Sequence, residues 1–535
     1  MESCRSLLRI GDGRDWHFAG GDWADGADGL LSVPDDVICS TGYGMQGMHF
    51  AFARNLCFQD CTVRFEFRLM GHTDAGIILR ARDESHFYLL HFPNCGQAAR
   101  AQNFWVVLSK MDGSGYLRQV KMEIVRRVPS TKGVWLRAEV NIVGRRMIVR
   151  IGDHGCFEAE DDTYAAPGHP GVFLCSLYPP GAQIRNVVVE GAPAPIPPWR
   201  EGVRQPTNWF HPVPTAGKVW QCPLGMVRFP DGELLLSYEA HSEKARAERA
   251  RGTSYAVRSL DAGRTWSEPD EVSWNRPHLT PAGRLIRMFE SGGSWVTAES
   301  PDRGRTWSDP APTNLPTAMP GLTSFYPGPL FNLADGGMLA FGGGRHELND
   351  DALNVWTWGA LHCQKFAFRS EDDGRTWSEA VNVDTSGFDA EGKVLDGNMD
   401  LTELSPMQLS DGRIMVLIRP IYSPWMWETW SDDGGRTWGP CVRGPFPGYA
   451  TPNVVRTACG ALLIAHRLPW LTVHCSLDEG RTWQGTIIDS GTWAMGAMRE
   501  VEPDVVFYVY WDSFELAMRA QYLRVTPSGL EPVRR

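Results

Sequence analysis

The pattern Ser-x-Asp-x-Gly-Arg-Thr-Trp is written five times in this 535-residue chain, at residues 259–266, 300–307, 370–377, 431–438 and 476–483. Successive copies lie 41, 70, 61 and 45 residues apart. A repeat of this period means that one supersecondary unit is used again and again, each copy burying its apolar face on the next. The pattern itself reads as a turn. Asp accepts backbone N–H bonds two residues on. Gly takes a backbone conformation other residues avoid. Thr then starts a strand, and Trp buries a large ring beneath the turn. A calcium loop does not fit, because the further oxygen ligands at regular spacing are missing.

Most copies follow a strand–turn–strand. Residues 226–229, Pro230-Asp231-Gly232 and 233–238 make one; 333–341 and 409–418 repeat the shape. A sixth unit without the pattern fits 493–524, where 505–511 and 516–524 read as strands. Composition agrees. The chain holds 56 Gly, 37 Pro and 22 Trp, which suits many short strands and many turns rather than long helices.

The eight-residue patterns are Asp-boxes, and from about residue 208 onward the chain resembles the sialidase-like β-propeller superfamily. The resemblance implies six blades around a central axis. It also implies that each box joins the third and fourth strands of a blade, on the outer side and away from the active centre. The boxes therefore specify fold and carry no chemistry.

The first part of the chain reads differently. In residues 61–69, Val63, Phe65, Phe67 and Leu69 alternate with Arg64, Glu66 and Arg68, the pattern of a half-buried strand. Residues 76–80 and 87–92 look like the next two strands. Leu136, Ala138, Val140 and Ile142 alternate into a Gly144-Arg145 turn and a strand at 147–151. With 171–174 and 184–189 this makes a β-sandwich. The segment resembles a concanavalin-A-like (laminin-G-like) jelly roll. That resemblance implies either a carbohydrate-binding module or a structural domain braced on its neighbour. Four prolines in residues 191–199 mark a spacer. The expected organisation is all-β: a sandwich over 1–192, a Pro-rich linker over 193–207 and a six-bladed propeller over 208–535.

Charge and hydropathy narrow the function. With 52 Lys and Arg against 63 Asp and Glu, the net charge of −11 argues against a nucleic-acid partner. No apolar run reaches 18 residues, so no membrane helix is expected. The first eleven residues lack the sustained apolar core of a secretory leader, and a cytoplasmic location is the expectation, unless a leader has been removed. The 12 cysteines show no metal-ligand spacing and read mostly as reduced, buried thiols. No metal or organic cofactor is implied.

In a propeller, ligands sit at one end of the channel, where first strands start and second strands end. The stretch from Glu403 through Asp411-Gly412 to Arg419 resembles the one carrying that superfamily's active-site Glu and its second carboxylate-binding Arg. Arg467 stands at about the distance of the third. A pair of forked guanidinium groups suits a carboxylate on an acidic sugar. Three positions depart from the pattern. The chain has Gln221-Cys222-Pro223 where Arg-Ile-Pro opens sialidase propellers. The loop that should hold the acid/base Asp contains Glu239 and His241. The Tyr nucleophile should fall near Trp493. Position alone adds Arg345 and His346, at the end of a second strand, and Tyr326. Arg345 is a replacement for the lost Arg, and His346 an acid or base near neutral pH. Asp400, three residues before Glu403, shares its neighbourhood, so that one carboxyl can hold a proton while the other stays charged. Trp356, Trp358, Trp425, Trp427 and Trp470 are expected in long loops, where exposed rings stack on sugar faces.

The resemblance and these residues together imply an exo-acting glycoside hydrolase on an acidic or unusual terminal sugar, distinct from a standard sialidase. Glu403 is the nucleophile or general base, and Asp400 or Glu239 the general acid. Arg419 and Arg467 hold the anionic group. A lyase on a uronic acid, with His346 or His241 as base, and a non-catalytic glycan-binding propeller are the alternatives. The expected partner is a carbohydrate.

Overall fold

The computed structural model describes residues 4–11, 13–25, 37–41, 48–69, 74–93, 104–113, 117–125, 134–175, 182–199, 208–214, 220–242, 248, 252–320, 322, 324–347, 361–383, 401–420, 425–467, 470–489, 493–512 and 516–533. Every regular element among them is a β-strand. They form two compact units. The first is Met1–Thr207 with Leu468–Thr472 and Gly485–Gly491; the second is Asn208–Arg467 with Val473–Gln484 and Thr492–Arg535.

The first unit is sandwich-like. One sheet runs Cys156–Glu160, Arg146–Ile151, Leu136–Val143, Phe58–Arg68, Gln183–Pro193, Val37–Thr41, Asp22–Asp25. The other runs Trp16–Ala19, Met48–Ala53, His169–Cys175, Asp74–Asp83, His86–His91, Phe104–Asp112, Leu117–Val125. Val63, Phe65 and Phe67 from the first sheet meet Ile77, Leu90, Val106 and Leu108 from the second in one buried cluster. Burying each such side chain contributes about 1.5–3 kcal/mol. The intervening Arg64 and Glu66 face outward, where Arg64 bonds Glu139 at 2.7 Å and Arg185 bonds Glu66 at 2.6 Å. The hairpin expected at Gly144 is present, with Val143 paired to Arg146 and Gly144 at φ 55°.

The second sheet also carries a buried polar chain. Asp74 Oδ2 lies 2.5 Å from His91 Nδ1, and His91 Nε2 lies 3.3 Å from Ser109 Oγ. All three residues are fully buried.

The second unit is a propeller. Blade 1 is Trp220–Arg228, Leu234–His241, Thr253–Ser259, Asp270–Val272. Blade 2 is His278–Leu279, Leu285–Ser291, Ser294–Ser300, Ala311–Pro312. Blade 3 is Ser324–Asn332, Met338–Glu347, Leu361–Ser370, Val381–Asn382. Blade 4 is Leu401–Gln408, Ile414–Pro420, Trp425–Ser431, Val442–Pro447. Blade 5 is Tyr449–Arg456, Leu462–Arg467, Leu471–Ser476, Gln484–Asp489, and blade 6 is Trp493–Glu502, Val505–Asp512, Ala517–Thr526, Gly529–Val533. Five of these are separate four-stranded sheets; the strands of blade 5 follow in the same order within a larger sheet. The ring closes between blades 6 and 1. Met226, Leu236 and Val257 share a core with Ala497, Phe507 and Val509. Phe210 and Ala520 exchange both backbone bonds, at 3.0 and 2.8 Å.

All five boxes join third to fourth strands. Their chemistry departs from the expected turn in two ways. The Asp carboxylate reaches four residues on, not two. Asp261 accepts from the Thr265 N–H at 2.8 Å and from its hydroxyl at 2.6 Å, and Asp302, Asp372, Asp433 and Asp478 do the same with their threonines. Thr therefore belongs to the turn rather than starting a strand; the strand after the first box begins at Asp270. The cause is backbone shape. Ala262 and Gly263, both left-handed at φ 61° and 88°, wrap the chain around the carboxylate. The box Gly also faces the preceding blade, where a Cβ on Gly435 would sit 2.7 Å from Leu339 Cδ2.

Candidate functional site

The antiparallel registers bring the start of each first strand beside the end of the second. Trp220 pairs with His241, Ser324 with Arg345, Leu401 with Pro420, Tyr449 with Arg467 and Trp493 with Trp511. These ends gather at one mouth of the channel. In a ring of six, blade 1 stands opposite blade 4.

Blade 4 contributes Glu403 and Arg419 from adjacent strands. Arg419 Nη1 is 3.0 Å from Glu403 Oε2, with the Glu side chain 35% and the Arg side chain 13% exposed. The geometry is an ion pair and not an aligned hydrogen bond: Glu403 Oε2 is buried and has no hydrogen-bond partner among the described residues. A half-buried carboxylate beside a guanidinium suits a nucleophile or a base.

Blade 1 contributes Glu239 and His241. His241 Nε2 and Glu239 Oε1 are 2.8 Å apart, the side chains 17% and 28% exposed. Leu234, Leu236, Tyr238 and Ala240 of the same strand fill the core shared with blade 6, whereas Leu235 packs toward blade 2 with Trp274 and Leu285. Period-two alternation puts Ser237, Glu239 and His241 on the blade 2 side with Leu235. Gly252 keeps room for the pair, since a Cβ there would sit 2.6 Å from Glu239 Cγ and 2.7 Å from His241 Cδ2.

The other expected residues distribute as follows. Gln221 is 1% exposed, its Nε2 donates to the Pro214 carbonyl at 2.7 Å, and it anchors the entering chain instead of presenting to a ligand. Arg345 and His346 pair in backbone register with Cys363 and His362, and Tyr326 with Gly343. Those three side chains, with Arg467 and Trp493, lie outside the described residues, as do Asp400, Trp356 and Trp358 and the Trp425 side chain. The loop expectation is corrected for three tryptophans: Trp425 opens the blade 4 strand Trp425–Ser431. Trp427 stands in a strand of blade 4 and packs against Leu404 and Ile418. Trp470 is 5% exposed in a core of the first unit with Phe50 and Phe173. Both rings are wide apolar surfaces that the blades and the sandwich use for packing.

Sequence reading missed Arg276. It precedes the two-residue first strand of blade 2, and its backbone is left-handed at φ 48°. Its N–H lies 3.4 Å from Ser237 Oγ, and its Cα occupies space that a Cβ on Gly225 would approach to 3.2 Å. Burial pushes the Cys222 thiol up to about 12, with Arg276 pulling it down and Glu239 pushing it up, so Cys222, Glu239 and Arg276 share one electrostatic neighbourhood. Nothing in the sequence but an Arg-Pro dipeptide before a blade marked it. Farther along, six residues beyond Trp493 and so roughly 20 Å down its strand, Arg499 is held to about 10 by burial and donates to the Met498 carbonyl. Burial holds the His278 imidazole down at about 4, against its 2.7 Å bond to Asn332. Among the described residues no group of three or more His, Cys, Asp or Glu side chains is placed to hold a metal ion.

Residues 290–492 match the family described as BNR repeat-like domain. No curated protein matches the sequence. Among solved structures, a protein of unknown function from Dyadobacter fermentans is 14% identical, with 59% of this chain and 100% of that one covered and a TM-score of 0.44. A Hadza microbial sialidase is 13% identical over 88% of this chain and 94% of its own, with a TM-score of 0.42. An α-L-arabinofuranosidase from Fusarium graminearum is 16% identical over 60% and 96%, with a TM-score of 0.40. The matched residues span the second to fifth boxes and lie mostly within the propeller of the second unit.

Proposed function

We propose that the propeller is an exo-acting glycoside hydrolase for an acidic or unusual terminal sugar. The observation that carries this reading is the pairing of two carboxylates in different settings at one channel mouth: Glu403 against Arg419 on blade 4, and Glu239 against His241 on the opposite blade. Glu239, when protonated, gives its proton to the glycosidic oxygen as the bond to the anomeric carbon breaks. Glu403, charged beside Arg419, either bonds to that carbon or takes a proton from the water that does. The first route retains configuration and the second inverts it. Arg419 has further N–H groups for a substrate anion, and Arg467 at the adjoining blade 5 rim adds a second guanidinium.

The test is turnover on a panel of 4-nitrophenyl glycosides and oligosaccharides that includes a sialoside, glucuronides and galacturonides. Glu403→Gln should lose at least a thousandfold in kcat with its thermal midpoint kept. Glu239→Gln should lose more on poor leaving groups than on 4-nitrophenol, the mark of a general acid. Wild-type activity retained in Glu403→Gln would overturn the assignment. The Glu239–His241 hydrogen bond supports one other reading, a lyase whose imidazole takes a proton beside a uronate carboxylate. Ultraviolet absorbance of an unsaturated product separates the two. Binding without turnover in both wild type and Glu403→Gln would leave a glycan-binding propeller.

A further inference from the structure

The propeller channel carries a deep-set cation toward the end away from Glu403. First strands of neighbouring blades pack around the axis: Trp493–Glu502 of blade 6 touches Trp220–Arg228 of blade 1 and Tyr449–Arg456 of blade 5. Their registers define a common level. Val227 pairs with Leu235, His278 with Ile286, Phe331 with Leu339, Met407 with Met415, Val455 with Leu463 and Arg499 with Phe507. Five of those second-strand partners lie against the box glycine of the next blade: Leu235 on Gly304, Ile286 on Gly374, Leu339 on Gly435, Met415 on Gly480 and Phe507 on Gly263. The positions are therefore equivalent around the ring. Four of the six carry apolar side chains, and the exceptions are His278 and Arg499. In blade 4 this level is four residues past Glu403, roughly 13 Å along the strand.

Arg499 is set so deep that burial alone holds it at about 10, yet part of its surface stays open. A side chain that is both deep and open lines an internal space. Its Nη1 donates to the Met498 carbonyl at 2.6 Å, and among the described residues it makes no ion pair. Its charge is felt by His278, two blades away across the channel. His278 returns no negative charge. Asn332 Nδ2 donates to the Leu279 carbonyl at 2.8 Å, so its Oδ1 accepts the His278 Nε2–H at 2.7 Å, and the imidazole is neutral. The carboxylates of the Arg499 strand are engaged elsewhere. Glu500 accepts the N–H groups of Ala458 and Asp504 at 2.8 and 2.7 Å, and Glu502 pairs with Arg264 at 2.5 Å. Nearer the turn, Arg228 is exposed, its Nη2 lies 3.5 Å from the Val501 carbonyl, and it too makes no ion pair among the described residues. A lone charge in apolar surroundings is costly unless a counter-charge joins it. We propose that Arg499 holds a small inorganic anion, chloride in ordinary salt, inside the propeller channel, and that this anion steadies the ring. Arg228, at that end of the channel, draws the anion in.

The test melts the full chain in potassium chloride and in potassium gluconate at equal ionic strength, with the concentration varied. Gluconate is too bulky for an internal site and controls for screening. Chloride should raise the wild-type midpoint by about 3–5 °C over gluconate, along a saturating curve. Arg499→Met suits a level that Val227, Phe331, Met407 and Val455 already make apolar. Its midpoint should be the same in both salts and, in gluconate, no lower than that of wild type. An arginine with a purely structural role gives the opposite, a variant destabilised equally in both. Crystals of wild type soaked in bromide should show an anomalous peak beside the Arg499 guanidinium. Wild-type midpoints that coincide in the two salts overturn the proposal. So does a chloride response that survives in Arg499→Met, or a bromide-soaked crystal with no peak at Arg499. The bromide result needs no variant and decides the matter if Arg499→Met fails to fold.

Discussion

Asp373 is the first of two left-handed residues in the third box, and it ties blade 3 to blade 2. Its carboxylate accepts the Thr280 hydroxyl at 2.7 Å and the Ala282 N–H at 3.1 Å, and Arg284 Nη1 lies 3.3 Å away. The Asp side chain is 12% exposed and Thr280 is 3% exposed. Asp373→Ala removes two bonds to a charged acceptor, each worth about 1.5–3 kcal/mol when well buried. These are partly solvated, so the low end applies, and the sum is about 2–4 kcal/mol. The ion pair adds less than about 1 kcal/mol, because Arg284 keeps Glu299 at 2.7 Å and the Asp373 carbonyl at 3.0 Å. Alanine must still hold φ 63°, which glycine does without strain. Asp373→Gly should therefore be about 1 kcal/mol less damaging than Asp373→Ala, although glycine is the more flexible residue when unfolded. At about 2 °C per kcal/mol for a domain of this size, calorimetry should show the Ala variant melting about 4–8 °C lower and the Gly variant between it and wild type. Turnover at 25 °C should not change in either. A Gly variant that melts below the Ala variant would refute the strain argument. An Ala variant within 1 °C of wild type would refute the latch.

The Thr306 N–H and hydroxyl hold Asp302 down at about 2, against about 3.9 in an unfolded chain. A depressed carboxylate stabilises the fold above the unfolded pKa and loses that contribution as pH falls toward the folded one. The urea midpoints of wild type and Asp302→Asn should therefore differ most above pH 5 and converge between pH 4 and 2; a constant gap would contradict this. Asp74→Ala in the sandwich leaves His91 buried without its carboxylate partner and should cost about 3–5 kcal/mol by urea unfolding, while Ser109→Ala, which removes only the bond to His91 Nε2, should cost about 1 kcal/mol. Ala262→Gly removes a Cβ at φ 61° where no side-chain latch is lost, and should raise the thermal midpoint by 1–2 °C, about 0.5–1 kcal/mol.

The repeats made the propeller readable because a turn that must wrap a carboxylate admits few residues. Ser, Asp, Gly, Thr and Trp recur since each fills one place in the same hydrogen-bonded shape. Alternation did the same for Val63, Phe65 and Phe67, which have one face of a sheet to bury. The rim was less legible. Glu403 and Arg419 were found from their place in the repeat, and they meet at 3.0 Å. Glu239 and His241 read as loop residues, but they close the strand Leu234–His241, and their hydrogen bond to each other depends on its pleat, which a loop reading hides. Arg276 left no periodic mark, because its position is set by contact with Gly225 and Ser237, some 50 and 40 residues earlier. Trp427 and Trp470 misled because a large ring serves a core as readily as a sugar.

The residue before each box glycine shows how strain and function divide in this propeller. Four of the five are non-glycine and left-handed: Ala262, Arg303, Asp373 and Glu479, between φ 59° and 63°. Three of those side chains reach another blade or the turn beside it. Arg303 pairs with Asp231 and Glu233, Asp373 holds Thr280 and Ala282, and Glu479 holds Arg456 and the Ser410 N–H. The fifth position, Gly434, is relaxed at φ 74° and its carbonyl receives Arg369 instead. A side chain with a task thus accompanies strain at three of the four; Ala262 is strained with none, and there, as at Gly434, the backbone carbonyl does the bonding, accepting the Tyr522 hydroxyl at 3.0 Å.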